Sequence, residues 1–197
     1  GIDPVPARPA DMLPEFDLIL VGRISPVKRV DIFLESVAVL RRTLPDVRAV
    51  VVGGGPDHDT MVERAAELGL ADCVVFAGFQ PDVLSWLHRS RVFVLTSDSE
   101  GLSLALMEAF MCGLPAVVSD VGDLKDLVKN GRNGYLVGSR TPEAFADAYH
   151  RLLADKVHLD FCSRCAFESS ATITTLNAAR RWDEVFALQS RPPLRRV

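Results

Sequence analysis

Two glutamates in the middle of the sequence, Glu100 and Glu108, are separated by seven residues and lie between two apolar runs. Glu100 falls in a polar turn after the first run, and Glu108 falls within a helix predicted over residues 102–111. Runs of β-branched and other apolar residues are typical of strands in a parallel sheet covered on both faces. Open parallel sheets bind ligands beyond the carboxyl ends of their strands. We therefore expect a ligand near this turn. Taken alone, the spacing leaves open a second interpretation, in which Glu108 is a helix-surface carboxylate or pairs with a neighbouring residue.

Residues that favour an anion are predicted at the same edge of the sheet. Gly101 lets backbone N–H groups approach a ligand, and the helix N-terminus behind it favours negative charge. Arg23 and Lys28 lie in the turn after the first predicted strand. A guanidinium and an ammonium there can hold a diphosphate through charge-assisted hydrogen bonds. Taken alone, these two residues leave a second interpretation open, in which both are solvated surface charges.

Strand-like and helix-like segments alternate along the chain. Strands are predicted at 16–21, 47–52, 74–76, 92–95, 116–118 and 135–137, and helices at 31–42, 59–68, 84–88, 102–111, 143–153, 159–169 and 177–188. This alternation predicts an α/β fold with a Rossmann-like, doubly wound parallel sheet. We assign residues 16–173 to this domain, 1–15 to a leading or linker segment, 174–190 to a C-terminal helix and 191–197 to a tail.

The composition argues against several classes of protein. The 197 residues carry a net charge of −4 and are 48% hydrophobic, which fits one globular domain and argues against nucleic acid as a partner. No apolar run approaches the roughly 18 residues that a membrane span needs. Because the sequence begins with Gly and shows no cationic and apolar leader, we expect a segment of a longer cytoplasmic protein.

Two short motifs resemble metal sites, and each has a simpler explanation. Cys162 and Cys165 form C-x-x-C without a second spaced pair, so we interpret the cysteines as buried thiols in a reducing compartment. Asp57 and Asp59 form D-x-D at the start of a predicted helix, where aspartate is favoured as a cap and by the helix dipole. We therefore predict no metal ion.

Residues 97–120, SDSEGLSLALMEAFMCGLPAVVSD, resemble the E-x7-E signature of retaining glycosyltransferases of the GT-B fold, family 4, also called glycosyl transferases group 1. The run from Gly22 and Arg23 to Lys28 resembles the donor-phosphate motif of that family, G-R-x-x-x-x-K. The opening GIDP is similar to the segment that links the two GT-B domains. The resemblance covers nearly the whole chain and implies the C-terminal, donor-binding half of a GT-B fold.

The resemblance also implies roles for individual residues. Arg23 and Lys28 would stabilise charge on the departing nucleoside diphosphate, and Glu100 would contact the hydroxyls of the sugar, so these three form the implied catalytic set. Glu108 would accept hydrogen bonds from the ribose hydroxyls. The other implied donor-binding residues act largely through main-chain groups: Gly22, Gly54, Phe79, Gln80, Gly101, Leu102, Ser103 and Leu104.

Two positions depart from the pattern of the family. Arg29 replaces a common glycine and is expected to place a third basic group near the phosphates. Asp123 stands where a second glycine is common, so we expect its loop to sit back from the ligand or to select a different donor. In the last predicted helix, Trp182, Val185 and Phe186 are expected to pack across the domain junction or, without that partner, to promote dimerisation.

Together these features imply the donor-binding domain of a retaining glycosyltransferase that transfers a hexose-type sugar from a UDP-, GDP- or ADP-sugar to a glycan or lipid-linked acceptor. An N-terminal acceptor domain would complete the enzyme, and the isolated domain would be inactive. The full-length protein would act in the cytoplasm, with peripheral association at the membrane, and would need no cofactor. Two alternatives stay open: a GT-B-like nucleotide-sugar epimerase and a non-catalytic module that binds nucleotide sugars.

Overall fold

Six short apolar runs form the strands of one parallel sheet in the computed structural model, which describes residues 13–171. The strands are β1 (Phe16–Val21), β2 (Ala49–Val52), β3 (Val74–Gly78), β4 (Ser90–Leu95), β5 (Ala116–Ser119) and β6 (Gly134–Val137). Their order across the sheet is β3-β2-β1-β4-β5-β6, and every neighbouring pair is parallel. This arrangement confirms the predicted Rossmann-like, doubly wound sheet.

Helices connect the strands and cover both faces of the sheet. They are α1 (Val30–Leu40), α2 (His58–Glu67), α3 (Val83–His88), α4 (Leu104–Met111), α5 (Leu124–Leu127), α6 (Pro142–Leu153) and α7 (Lys156–Ser170), with a 3₁₀ turn at Pro26–Lys28. Helix α5 lies where no helix is predicted, because it is too short to show a helical period in the sequence. Helix α7 begins three residues before its predicted start because the Asp155 side chain caps it, accepting the N–H of His158.

Alternate residues of the central strands enter two separate cores. On one face, Leu18 and Val94 pack with α1 and α6, and on the other face Ile19 and Phe93 pack with α4. Both faces are therefore apolar, which explains the nearly continuous apolar runs of the sequence. Strand order reverses between β1 and β4, so the loops that follow these two strands meet at the carboxyl edge. This switch point is where open α/β sheets bind ligands.

Several sequence-based expectations fall at the ends of the chain. The predicted C-terminal helix with Trp182, Val185 and Phe186, the tail, and most of the leading segment lie outside the described residues. Within residues 13–171, no helix is long and apolar enough to span a bilayer. Cys162 and Cys165 are free, buried thiols on α7, and burial raises the pKa of Cys162 to about 11.

Replacing Phe93 by Ala tests the sheet core. Phe93 is fully buried on β4, so the substitution should lower the free energy of unfolding by about 3–5 kcal/mol through lost transfer energy and a cavity. Phe167→Ala is the matched control because the Phe167 ring is 57% exposed on α7, and its cost should stay below about 1 kcal/mol. Urea unfolding of both variants measures the difference. Equal losses would contradict the assignment of Phe93 to the core.

Candidate active site

A buried hydroxyl ties the loop after β1 to the end of β4. Thr96 Oγ1 lies 2.8 Å from the carbonyl oxygen of Arg29 and 3.1 Å from that of Lys28, and it donates to this pair of acceptors. The N–H of Asp98 donates to the carbonyl oxygen of Val27 at 2.8 Å. The two loops at the switch point are thus joined by hydrogen bonds that do not depend on a ligand.

Lys28 and Glu100, which the sequence predicts at the same edge, form a direct ion pair. Lys28 Nζ lies 2.7 Å from Glu100 Oε1, and Ser97 Oγ donates to the same oxygen at 2.6 Å. The Glu100 side chain is only 8% exposed and that of Lys28 is 23% exposed. A carboxylate this deeply buried needs such partners because desolvation of an unpaired charge is unfavourable.

Glu108 differs from Glu100 because its carboxylate has no partner among residues 13–171. It lies on α4 and is half-buried. Burial raises the pKa of the Glu108 carboxyl above its ordinary value, and no cation among residues 13–171 opposes the shift. The oxygens of Glu108 therefore have unused capacity to accept hydrogen bonds from a ligand.

The turn before α4 exposes its main chain. The Ser103 hydroxyl caps the helix by accepting the N–H of Leu106 at 3.3 Å, so the helix begins at Leu104 rather than at the predicted residue 102. Gly101 is exposed, and the side chains of Leu102 and Leu104 are 55% and 58% exposed. The first N–H groups of a helix lack intrahelical acceptors, so this turn can offer them to an anion.

Five of the residues predicted to bind the donor line one cavity of about 310 Å³ at the ends of β1, β2 and β3. They are Gly22, Arg23, Gly54, Phe79 and Gln80. The remaining wall is formed by small and apolar residues: Val21, Val52, Gly53 and Val83. Lys28, Glu100 and Glu108 are not part of this lining. The predicted site therefore consists of a cavity, a separate Lys28–Glu100 ion pair and the carboxylate of Glu108 on α4.

The turn after β3 gives this cavity one aromatic and one amide side chain. Phe79 is 81% exposed, and its ring is open to a flat ligand. Gln80 Nε2 donates to the carbonyl oxygen of Ala77 at 2.6 Å. Because this bond engages the amide nitrogen, Gln80 has its side-chain oxygen and its main chain left to offer a ligand.

Two glycines let neighbouring loops approach very closely. A Cβ atom on Gly53 would lie 1.9 Å from the carbonyl oxygen of Gly22, and one on Gly122 would lie 1.8 Å from that of Glu100. Both glycines have positive φ, +140° and +52°, a region that side chains disfavour. Gly54, in contrast, has open space around its α-carbon. Packing therefore requires glycine at 53 and 122 but not at 54.

Arg29, which was expected to place a third basic group near the phosphates, has its guanidinium engaged by two carboxylates, and its effect on donor binding stays a prediction. Its guanidinium donates to Asp31 at 3.0 Å and to Asp98 at 3.4 Å, and Asp98 also accepts from Arg140 at 2.6 Å. Arg29 has φ +49°, a left-handed conformation in which glycine is favoured. Asp123 is exposed at the start of α5, and its effect on donor choice stays a prediction.

The D-x-D segment lies at the start of α2, as predicted, but Asp57 makes no side-chain capping bond there. Asp59 is exposed and lies 2.9 Å from Nδ1 of His58. In the part of the chain that the structure describes, no three His, Cys, Asp or Glu side chains are grouped so that they could hold a metal ion. The absence of a metal remains a prediction.

Sequence reasoning missed four residues that organise the site. Ser97 precedes Glu100 by three residues, and this S-x-x-E pattern was a usable signal of a local contact. Thr96, Asp98 and Arg140 gave no signal because their partners lie 42 to 69 residues away in the chain. Their roles depend on which strand ends become neighbours.

The strand order, with a cavity and an ion pair at the carboxyl edge, defines a Rossmann-like domain. Its match to solved glycosyltransferases makes it the C-terminal half of a GT-B fold. The chain belongs to the family glycosyl transferases group 1, whose sequence model matches residues 10–168. The family resemblance and the fold class predicted from the sequence are thus confirmed.

Known relatives agree with this assignment. A D-inositol 3-phosphate glycosyltransferase of Frankia alni is 38% identical over 147 residues, which cover 69% of this chain and 36% of the relative. The chain therefore spans little more than a third of the length of that curated relative.

Solved structures support the fold. The pneumococcal O-GlcNAc transferase GtfA, crystallised with UDP and GlcNAc, superposes with a TM-score of 0.84 at 23% identity, covering 93% of this chain and 37% of that one. The C-terminal domain of the glycosyl transferase group 1 protein LpcC from Francisella tularensis gives a TM-score of 0.73 at 23% identity, covering 82% of this chain and 87% of that domain.

Replacing Gly122 by Ala tests the close approach of the β5 loop to the Glu100 turn. The variant should lose more stability than Gly69→Ala, although Gly69 also has positive φ (+69°), because nothing lies within 4 Å of a Cβ at Gly69. The control should lose about 1–2 kcal/mol from conformational strain alone. The free energies of unfolding of the two variants in urea measure these losses. Equal losses would show that the loop after β5 can move to accommodate a Cβ atom at position 122.

Replacing Glu108 by Gln tests the burial of an unpaired carboxylate. Because its pKa is raised in the folded protein, the unfolded chain releases the proton first and stability falls as the pH rises through the ordinary glutamate range. At pH 7 the Gln variant should therefore melt at a higher temperature than the parent. This difference in melting temperature should disappear below the ordinary pKa of glutamate. Glu63→Gln, at an exposed position on α2, is the control. A difference in melting temperature that does not depend on pH would contradict this explanation.

Proposed function

We propose that this chain is the donor-binding domain of a retaining glycosyltransferase and that it binds a nucleoside diphosphate sugar. The observation that supports the proposal best is the arrangement at one sheet edge. A cavity lined by small residues and an exposed aromatic ring lies at the ends of β1–β3. The Lys28–Glu100 ion pair joins the loops that follow the neighbouring strands β1 and β4, and Glu108 lies on α4, the helix after β4. A nucleoside diphosphate sugar needs both an apolar and a polar region.

In this proposal the nucleoside occupies the cavity. The base lies against Phe79 and uses main-chain groups of Phe79, Gln80 and the glycines. Glu108 accepts hydrogen bonds from the two ribose hydroxyls, which would satisfy its unpaired carboxylate. The ribose hydroxyls would therefore supply the hydrogen-bond donors that the Glu108 carboxylate lacks, and they carry no charge of their own.

The diphosphate is held by cations and by the start of α4. Arg23 lines the cavity and is exposed, and it makes no ion pair within the described part of the chain. Together with Lys28 and the N–H groups of residues 101–104, it would neutralise charge that develops on the leaving diphosphate. Glu100 then lies beside the sugar and accepts from its hydroxyl groups.

The activity of the whole enzyme extends beyond this domain. We infer that an N-terminal domain supplies the acceptor site and the second wall of the cleft, and that the sugar is a hexose transferred to a glycan or lipid-linked acceptor with retained configuration. The bond between the sugar and the phosphate breaks, the acceptor oxygen bonds to the sugar on the same face, and its proton goes to the departing phosphate. The isolated chain would bind donor without transferring sugar, and the full-length protein would act in the cytoplasm beside the membrane.

Two alternatives differ in their products. A nucleotide-sugar epimerase would convert the donor to an isomer without an acceptor. A non-catalytic module would bind donor and leave it unchanged in the full-length protein. Chromatography of the sugar products, with and without acceptor, separates these outcomes from glycosyl transfer.

Calorimetric titration of the chain with UDP, GDP and ADP, and with their sugar conjugates, tests the proposed site. One base should bind best, and Glu108→Ala and Lys28→Ala should each weaken binding of its sugar nucleotide roughly tenfold or more, the scale of a lost charge-assisted hydrogen bond. Lys156→Ala is the matched control, because Lys156 is 82% exposed on α7 and pairs with Asp160. The absence of binding by every ligand, or binding that neither site variant weakens, would overturn the proposal.

A further inference from the structure

The two side chains that would hold opposite parts of the donor are each other's partners in the structure. Lys28 is the proposed phosphate ligand and Glu100 the proposed sugar ligand, yet Lys28 Nζ and Glu100 Oε1 lie 2.7 Å apart. Ser97 Oγ holds the same oxygen at 2.6 Å. A phosphate that recruits Lys28 must therefore compete with the Glu100 carboxylate.

The outcome of this competition depends on what else the ligand carries. Glu100 is almost fully buried, so loss of the ammonium leaves a desolvated carboxylate whose remaining side-chain partner among residues 13–171 is Ser97. Leaving a buried charge without its partner is costly. A ligand that also brings sugar hydroxyls supplies new donors to that carboxylate. A free nucleoside diphosphate supplies none.

We propose that the Lys28–Glu100 pair makes this site select the nucleoside diphosphate sugar over the free nucleoside diphosphate, with Glu100 as the specificity-determining residue. This inference rests on the proposed function. The sugar nucleotide separates the pair but binds both members, since its phosphates contact Lys28 and its sugar hydroxyls donate to Glu100. The free nucleotide contacts Lys28 alone, so the Glu100 carboxylate competes with its phosphates for the ammonium.

Ser97 acts in this scheme as a positioning residue. Its hydroxyl is buried and donates to Glu100 Oε1 through a bond that does not involve Lys28. The bond keeps the carboxylate at its place when the ammonium turns to a phosphate, so that the sugar meets a fixed acceptor. It also lowers the cost of separating the pair.

The same pair has a consequence after transfer. Once the sugar has left, its hydroxyls no longer satisfy Glu100, and the carboxylate again attracts Lys28 away from the diphosphate. Product release is thereby favoured without a further conformational device.

Paired titrations test this inference. The chain is titrated with UDP and UDP-glucose, GDP and GDP-mannose, and ADP and ADP-glucose, and the ratio of the two dissociation constants is compared for the base that binds. In Glu100→Gln, the amide can still bond to sugar hydroxyls but no longer attracts Lys28. Free nucleotide should therefore bind roughly tenfold tighter, the scale of one charge-assisted hydrogen bond, while the sugar nucleotide does not gain.

A second variant predicts the opposite shift. In Ser97→Ala, Glu100 depends more strongly on Lys28, so free nucleotide should bind more weakly and the preference for sugar nucleotide should rise. Glu63→Gln, at an exposed position on α2, should leave the ratio unchanged. Melting temperatures of all variants show whether each is folded, and a general loss of structure would weaken both ligands together rather than move the ratio.

The possible results separate the two proposals. If no ligand of any pair binds to the parent chain, the proposed function fails. If the ligands bind but Glu100→Gln weakens free nucleotide or leaves the ratio unchanged, the proposed function stands and the selection by the Lys28–Glu100 pair is wrong. If the two variants shift the ratio in opposite directions as described, the inference is confirmed.

Discussion

The arrangement of the site depends on one buried hydrogen-bonding group, the hydroxyl of Thr96 at the end of β4. It lies within hydrogen-bonding distance of the carbonyl oxygens of Lys28 and Arg29, in the left-handed turn that begins α1. β1 and β4 are neighbours in the sheet, but strand pairing alone does not fix the loops beyond the strand ends. The Thr96 bonds do so, and they set the distance between the ammonium of Lys28 and the turn that carries Glu100.

Electrostatic balance is the second constraint at this edge. Lys28 is matched by Glu100, and Asp98 lies between the guanidinium groups of Arg29 and Arg140. Like charges brought together on neighbouring loops would repel each other, and the interleaved acids remove that cost. Contacts within the chain therefore organise this edge, while Arg23 is exposed and lines the cavity.

The sequence predicts the sheet well because each strand is a run of apolar residues between turn signals. The observed strand bounds differ from the predicted ones by at most two residues. The meeting of Lys28 and Glu100 at one edge follows from the strand order, but their direct pairing depends on side-chain reach and burial, which no spacing encodes. In the same way, the sequence GGG cannot show that packing requires glycine at 53 while 54 is open. The ion pairing of Arg29 was not predicted. Asp31 lies only two residues away in the sequence, but Asp98 comes next to Arg29 only because their strand ends are neighbours.

The contrast between Gly53 and Gly54 has an evolutionary consequence. Any side chain at position 53 would collide with the main chain of Gly22, so we expect this position to tolerate no residue other than glycine. The α-carbon of Gly54 faces free space at the cavity that Phe79 and Arg23 also line. A mutation there can reshape the cavity without disturbing the backbone that holds it. Homologous domains that share this backbone can thus diversify in ligand preference through a single codon next to one that must stay fixed.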